Sequence, residues 1–422
     1  MVHLICIRSH STPLSKFTLK TLNTPVFIAD RLRFPSGSVF SATVIRIAKI
    51  SIALGIAILI VSLLIYAGFR NEIEQKMCST GGHISLRQFT TGTLYEEKNL
   101  DRNAGFIQKL LQIPEVAHIQ TFAYKPALLR TENEVEGVIL KGIANDFNFS
   151  AFSVNTEAPV TCCPMAEGVW ISTYMANKLG LKSGSEIVLF FLEDPPRYRK
   201  MKVELFFQTG LEEIDQNLVF VNQQLIQDMN GWAPNEVGGF EVFVKDFDAF
   251  ERVWPAVESA LPYQIAAEPI TETQVQLFDW LQIIGRNVLV MFVLISLVSG
   301  FNMVATLLIM VMERRQMVGI LKAMGAGNPL IRQIFYRNGI NIIWQGLLWG
   351  NAIGLFLSFL QFQFHLVPLD PANYYVSSVP IAWNWAGILF INLGVISITS
   401  FMLLFPVRFV NRIKPSEAVR SV

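Results

Sequence analysis

Residues able to do chemistry are sparse in this chain of 422 residues. No Ser/His arrangement and no pair of carboxylates lies within an apolar segment, and the histidines lack the spacing of metal ligands. They are His3, His10, His83, His118 and His365. The sequence also contains no GxxxxGK[ST] phosphate loop. We therefore predict no catalytic residue, no metal site and no cofactor on this chain. If the protein works against a gradient, the energy must come from another subunit.

The four cysteines do not indicate a disulfide framework. Cys162 and Cys163 are adjacent, a spacing that rarely permits a bond between the two. A bridge from Cys78 to one of them is the remaining pairing, and four free thiols is the alternative that the count favours.

One polar segment, residues 313–326, has a spacing that predicts a defined interaction. Its apolar members at helical spacing are Met317, Ile320, Leu321 and Met324, and its polar members are Glu313, Arg314, Arg315, Gln316 and Lys322. Spacing of this kind places the apolar side chains on one face of a short helix, which Gly325 ends. We predict that a cytoplasmic partner protein binds this segment. The alternative is that the helix lies on the surface of anionic lipids.

The composition assigns the chain to the membrane. Hydrophobic residues make up 52% of it and charged residues 16%, and the mean hydropathy is +0.41. A segment of about 20 apolar residues is needed to cross the hydrocarbon core. Four runs qualify, at residues 47–69, 288–312, 340–362 and 386–406. We predict four transmembrane α-helices.

Charge is distributed unevenly between the connecting segments. Residues 71–279 hold 29 acidic and 16 basic residues, a net charge of −13, although the whole chain is +1. The positive-inside rule then fixes the topology. The segments predicted to be cytoplasmic are 1–46, 313–339 and 407–422, and those on the outer side are 70–287 and 363–385.

The large outer segment is predicted to be an α+β domain. Two similar halves each show strand, helix, strand, at residues 83–129 and 239–269. A strand-rich insertion covers about 168–232. Within it, residues 193–200 form a predicted hairpin tip, either a partner contact or a solvated turn.

Within the spans, polar residues are uncharged, which argues against a secondary transporter. Gly346, Gly350 and Gly354 form a small-residue stripe that predicts close helix packing, with a subunit contact as the alternative. Phe301 and Met303 are candidate lipid contacts, and ordinary helix packing is the competing interpretation.

Several motifs together carry a family resemblance. In and near the membrane spans they are the coupling segment 313–326, the terminal residues 406–408 with 415–420, Leu369–Asp370–Pro371 with residues 374–380, and residues 51–55 with Gly68–Phe69. In the outer domain they are Gly81–Gly82–His83–Ile84, Lys141–Gly142–Ile143, 179–184 and 209–213. The chain resembles the type VII ABC transporter permeases, which include MacB and FtsX, and within them the LolC/LolE type that releases lipoproteins. The resemblance covers about residues 26–422.

This resemblance implies a porter-like periplasmic domain with an inserted small β-domain, in a multi-pass protein of the bacterial inner membrane. It implies a LolD-like cytoplasmic ATPase dimer that binds ATP and Mg²⁺, a second permease copy or paralogue, a lipoprotein substrate and a LolA-like periplasmic carrier. The residues expected to contact the ATPase are Glu313, Arg314, Arg315, Met317, Ile320, Leu321, Lys322, Met324 and Gly325. Those expected to contact the carrier are Asp194, Pro195, Pro196 and Arg197.

Two other functions stay open at this point. A permease of this family could export another cargo, as MacB does, although a MacB-type chain usually carries its own ATPase. An FtsX-like signal transmitter would instead switch a periplasmic enzyme and would need no lipid path.

Overall fold

The computed structural model describes residues 39–89, 98–132, 134–149, 162–370 and 374–409. The chain forms two compact units. Of the described residues, those at 39–61, 290–356 and 385–409 form the helical unit, and those within 62–289 and 357–384 form the mixed unit. Predictions for residues 1–38, for Pro371 and for the terminal motif at 415–420 lie outside the described residues.

The helices, in chain order, are α1 Val39–Gly81, α2 Gly105–Leu111, α3 Thr173–Leu179, α4 Glu212–Asn217, α5 Gln223–Asn230, α6 Phe250–Ala260, α7 Ile270–Thr273, α8 Val275–Glu313, α9 Arg315–Ala323, α10 Asn328–Phe364 and α11 Trp385–Phe409. The strands are β1 Ile84–Gln88, β2 Leu100–Asp101, β3 Val116–Arg130, β4 Val135–Ile143, β5 Gly168–Ser172, β6 Glu186–Phe191, β7 Arg197–Phe207, β8 Leu218–Asn222, β9 Glu236–Val237, β10 Gly239–Val244 and β11 Ile265–Pro269.

In the part of the chain that the structure describes, four helices, α1, α8, α10 and α11, are long and apolar enough to cross a membrane. Each contains one of the four predicted apolar runs, so the fold class of four membrane helices with a mixed α/β domain between the first two is confirmed. Three of the helices are much longer than their apolar runs. Helix α1 continues from the end of its run at Phe69 to Gly81, and α8 begins at Val275.

The glycine stripe of α10 packs against α1 inside the helical unit. A Cβ on Gly346 would lie 2.7 Å from Ile52 Cγ2, and one on Gly350 would lie 2.7 Å from the Ala53 carbonyl oxygen. At these distances only hydrogen in place of a side chain lets the two backbones approach. The close packing that the stripe predicts therefore occurs within this chain.

Four antiparallel strands of the mixed unit form a sheet in the order β11, β1, β10, β3. Helices α2 and α6 cover it, and Phe106, Leu110, Val253 and Val257 join its strands in one hydrophobic core. This is the predicted repeat of strand, helix, strand in two halves. Alternating apolar residues give each strand one buried face, and the two helices bury their apolar stripes against it.

A second group of six strands closes into a barrel. Strand β3 pairs with β4 over Ala123–Arg130 and with β6 over Leu128–Arg130, and the cycle continues through β8, β5 and β7. The barrel is therefore larger than the predicted insertion at 168–232, because β3 and β4 supply two of its six strands. Strand β3 belongs to both sheets, since its first half pairs with β10.

Candidate functional site

The predicted coupling segment forms a separate short helix. Helix α8 ends at Glu313, and Arg314 precedes the first turn of α9, where its carbonyl accepts from the Val318 amide at 3.0 Å. The helix ends at Ala323, and Gly325 shortly after it has a φ of +90°, a conformation that L side chains rarely adopt. Glycine there gives the helix its stop.

The face of α9 that packs against the chain differs from the predicted apolar face. Its buried residues are Val318 and Gly319. By contrast, Ile320 is 48% exposed and Met324 is 73% exposed. Sequence reasoning missed Val318, because five apolar residues on a nine-residue helix do not show which of them turns inward. The helix thus presents two large apolar side chains that this chain does not cover.

Basic residues accompany these exposed apolar groups. Arg315 is exposed at the first turn, while Arg314 and Lys322 are half-buried. Lys322 lies in the last turn, where a cation interacts favourably with the helix carbonyls. The surface of α9 therefore offers apolar contacts bordered by positive charge.

The predicted hairpin tip is shorter than the sequence indicated. Arg197–Lys200 belong to β7, where they pair with Val188–Phe191, so the loop itself is residues 192–196. Glu193 anchors this loop, because its carboxylate lies 2.6 Å from Lys125 Nζ and 3.4 Å from Arg197 Nε.

Asp194, Pro195 and Pro196 are exposed on the loop, as predicted for a contact surface. Arg197 also donates to the Met229 carbonyl at 3.2 Å, so part of its hydrogen-bonding capacity is used within the domain. Leu192 is 79% exposed beside the prolines. The predicted tip began at residue 193 and so left out Leu192.

The two candidate lipid contacts differ in exposure. Phe301 is 64% exposed on α8 and stays a candidate, whereas Met303 has no exposed surface. The prediction for Met303 is therefore corrected: it packs inside the helical unit, because two positions along a helix from an exposed residue turn a side chain by more than half of a turn.

The mixed unit contains a cavity of about 560 Å³. Its lining includes the end of α1, strands β1, β10 and β11, and the segment at α4 and β8. Apolar side chains from Met77, Ile139 and Ile214 share the cavity with Glu241 and Glu268. Among the residues that the structure describes, no group of three or more His, Cys, Asp or Glu residues could hold a metal ion.

His83 lines this cavity as a neutral acceptor. Burial lowers its pKa from 6.5 to about 4, and its Nδ1 accepts from the Val244 amide at 3.3 Å. The rings of Phe243 and Phe247 lie 5.9 and 5.8 Å from the imidazole centroid. These contacts favour the uncharged ring.

A buried ion pair borders the same cavity. Lys141 Nζ lies 2.5 Å from Glu241 Oε1, and the two side chains are 1% and 2% exposed. Burial acts to lower the pKa of Lys141, but the Glu241 carboxylate and Tyr124 outweigh it and the pKa is raised. Sequence reasoning missed the pair, because its members are 100 residues apart and no local pattern connects them.

Comparison with known proteins gives the class first. Residues 289–415 match the FtsX-like permease C-terminal family. The matched range contains α9, most of α8 before it and all of α10 after it. This part of the chain is similar to FtsX-like permeases, and the resemblance predicted from the sequence is confirmed.

Named relatives match over nearly the whole chain. LolE, the lipoprotein-releasing system transmembrane protein of Haemophilus influenzae, is 22% identical, with 95% of this chain and 100% of that protein covered. LolC of Buchnera aphidicola is 23% identical, with 93% of this chain and 98% of that protein covered. Among solved structures, the periplasmic region of MacB from Actinobacillus actinomycetemcomitans covers 46% of this chain and 92% of its own, at 10% identity and a TM-score of 0.32.

Proposed function

We propose that this chain is the permease subunit of an ABC transporter that extracts lipoproteins from the inner membrane for delivery to the outer membrane. The observation that carries the proposal is similarity to LolE and LolC over at least 93% of the chain, which includes the membrane helices and the domain between α1 and α8. A second permease, either an identical copy or a paralogue, completes the membrane part.

Extraction of an acylated protein needs external energy. Each CH₂ group that leaves the hydrocarbon costs about 0.8 kcal/mol, so two or three acyl chains cannot leave by thermal motion alone. A separate LolD-like ATPase dimer with ATP and Mg²⁺ supplies this energy. Helix α9 is its contact, supported by the exposed Ile320 and Met324 beside Arg315.

The charge distribution supports the orientation of the transporter. The net charge of −13 over residues 71–279 suits the periplasmic side, and the basic residues near α9 suit the cytoplasmic side. The chain is then a multi-pass inner-membrane protein with both termini in the cytoplasm and the mixed domain in the periplasm.

Depletion of the protein in its native cell tests the function. We expect acylated lipoproteins to accumulate in the inner membrane, measured by quantitative blotting after inner and outer membranes are separated. The control is the same strain with the gene restored from a plasmid. An unchanged distribution would refute lipoprotein release and favour another cargo or a signalling role.

Charge reversal on α9 tests the ATPase contact. Arg315→Glu combined with Lys322→Glu should leave the permease inserted and folded but abolish transport, because two repulsive charges would face the partner. The matched control is Lys182→Glu combined with Lys200→Glu, two exposed lysines of the mixed unit. Normal transport by the α9 variant would remove the assigned role.

The loop at 192–196 is the proposed contact of a LolA-like carrier. A photo-crosslinking amino acid at Pro195 or Pro196 should capture the carrier, whereas the same probe at the exposed Ser183 should not. Equal capture at the two places, or none at either, would contradict this contact.

A further inference from the structure

Two of the sequence motifs that the proposed function leaves without a role meet at one point in the mixed unit. Lys141 of the first motif lies on β4 and is buried. Its ammonium contacts Glu241 Oε1 on β10 and also donates to the backbone carbonyl of Thr80, which immediately precedes Gly81 of the second motif. One side chain therefore joins the end of a membrane helix to both sheets of the unit.

The other groups at this junction complete the network. The second oxygen of Glu241 accepts from Gln120 Nε2 at 2.7 Å, and Gln120 Oε1 accepts from the Asn148 amide at 2.8 Å. The ammonium of Lys141 also lies 5.8 Å from the ring centroid of Phe122 and 5.5 Å from that of Tyr124. Both carboxylate oxygens thus have a donor, and aromatic faces surround the charge.

Glycines bring the chain close enough to form the junction. Gly82 has a φ of +67°, and a Cβ on it would lie 2.9 Å from Glu241 Cβ. A Cβ on Gly142 would lie 2.9 Å from Gln223 Cα, where α5 covers β4. Gly82 therefore lets the chain approach Glu241 closely, and Gly142 lets α5 pack against the strand that carries Lys141.

The buried ion pair contributes more to fixing the relative positions of α1, β4 and β10 than to the stability of the fold. A buried ion pair gains little over well-packed apolar residues of similar volume, because both charges lose their hydration. What the pair adds is a requirement for geometry, since the ammonium must keep its acceptors within hydrogen-bond distance. The Thr80 carbonyl is one of the last of α1, at the negative end of the helix dipole.

We propose that Lys141 is a positioning residue that ties the last turn of α1 to β4 and β10, so that movement of α1 is passed to both sheets. The inference rests on the proposed function, in which work done on the membrane helices must reach the mixed domain. Movement of α1 alone would separate a buried ammonium from an acceptor.

The test replaces the network by apolar groups in the full transporter complex. The double variant Lys141→Met with Glu241→Leu should fold and keep its ATP hydrolysis, while lipoprotein released per ATP falls by at least about tenfold, a typical coupling between sites. The matched control is Lys178→Met with Glu136→Leu, which removes an ion pair of the same unit whose side chains are 48% and 33% exposed. Release per ATP within about twofold of wild type would overturn the proposal.

A charge-swapped variant separates the tie to α1 from the ion pair. Lys141→Glu with Glu241→Lys keeps two opposite charges but places a carboxylate against the Thr80 carbonyl. We expect the same loss of release per ATP as in the apolar variant. Full activity in the swapped protein would show that the pair alone matters and would overturn the proposal.

Hydrogen exchange on the same proteins makes the result independent of the cargo. In the wild type, the amides at the end of α1 should exchange together with those of β4 and β10, and in the apolar variant the end of α1 should exchange faster by itself. Unchanged exchange there would refute the tie, even if depletion confirms lipoprotein release. If depletion leaves lipoproteins in place but exchange behaves as expected, the proposed function fails and the tie stands.

Discussion

One polar pair in each unit is held in a different way. In the helical unit, Asn351 of α10 and Asn392 of α11 donate to each other at 2.7 and 3.0 Å, and each also donates to a carbonyl of its own helix at 2.8 Å. In the mixed unit, the buried groups of Lys141 and Glu241 are charged and draw on three elements.

This difference follows from the surroundings of each unit, which are lipid hydrocarbon for the helical unit and water for the mixed unit. In hydrocarbon, a charge is costly, and neutral amides that also bond to their own helix lose little if the partner helix moves away. In the mixed unit, a charged network is sustained only while each acceptor stays in place. We therefore expect the helical unit to tolerate loss of its polar pair, and the mixed unit to depend strongly on its own.

Removal of one partner from the charged network should have the largest effect. Glu241→Leu leaves the ammonium of Lys141 buried beside no carboxylate, and it should lower the free energy of unfolding by about 3–5 kcal/mol. Denaturant unfolding of the purified full chain in detergent, followed by tryptophan fluorescence, measures it. A loss below about 1 kcal/mol would mean that the network is not desolvated in solution.

The pH dependence of the mixed unit should be nearly as large. The pKa of His83 is about 4 in the folded chain and near 6.5 when unfolded, so between these values only the unfolded chain binds the proton. Stability is then fully present above pH 6.5 and falls by roughly 3 kcal/mol as the pH drops to 4.

The difference between wild type and His83→Gln isolates this contribution to the pH dependence. Asp215, whose pKa is raised by burial despite hydrogen bonds from Thr209 and Gly210, acts in the opposite direction in acid. It is present in both proteins and cancels. Parallel stability curves for the two proteins would contradict a neutral buried imidazole.

The next largest loss of folding stability should come from disturbing helix packing in the helical unit. Gly350→Ala places a methyl group against the Ala53 carbonyl and should cost about 1–3 kcal/mol by overpacking. The control is Gly105→Ala on α2, where a Cβ has no neighbour within 4 Å. Thermal unfolding in detergent compares the two variants, and equal midpoints would show that α1 and α10 are not in close contact.

Loss of the amide pair of Asn351 and Asn392 should lower folding stability least. Asn392→Leu removes the hydrogen bonds between α10 and α11 but leaves Asn351 bonded to the Leu347 carbonyl. We expect a loss of about 0.6 kcal/mol, with about 1.7 as the upper limit. The same unfolding assay measures it, and a loss as large as that of Glu241→Leu would erase the difference between the units.

Predictions from the sequence succeeded where a pattern is local. Apolar runs identified the four membrane helices, and alternation identified the strand, helix, strand pattern of the two halves in which β1, β3, β10 and β11 lie. The small-residue stripe of α10 was found from spacing alone. Each of these signals depends on neighbours a few positions apart.

Features that depend on distant partners were missed. Strand β3 serves two sheets, and nothing in Val116–Arg130 marks the change of partner at Ala123. The inward turn of Val318 and the burial of Met303 depend on which helices surround them. The coupling segment and residues 193–196 could be named from the sequence, but the exposure of Leu192 beside them could not.

The place of β1 in its sheet has a consequence for how the chain is made. Its neighbours on both sides, β10 and β11, come much later in the sequence, and the contact between His83 and the Val244 amide spans 161 residues. At ordinary rates of synthesis, β1 waits roughly 8–30 s for a partner strand. During that time both of its edges are open to pairing with another chain, so folding of the nascent protein needs protection at its first strand.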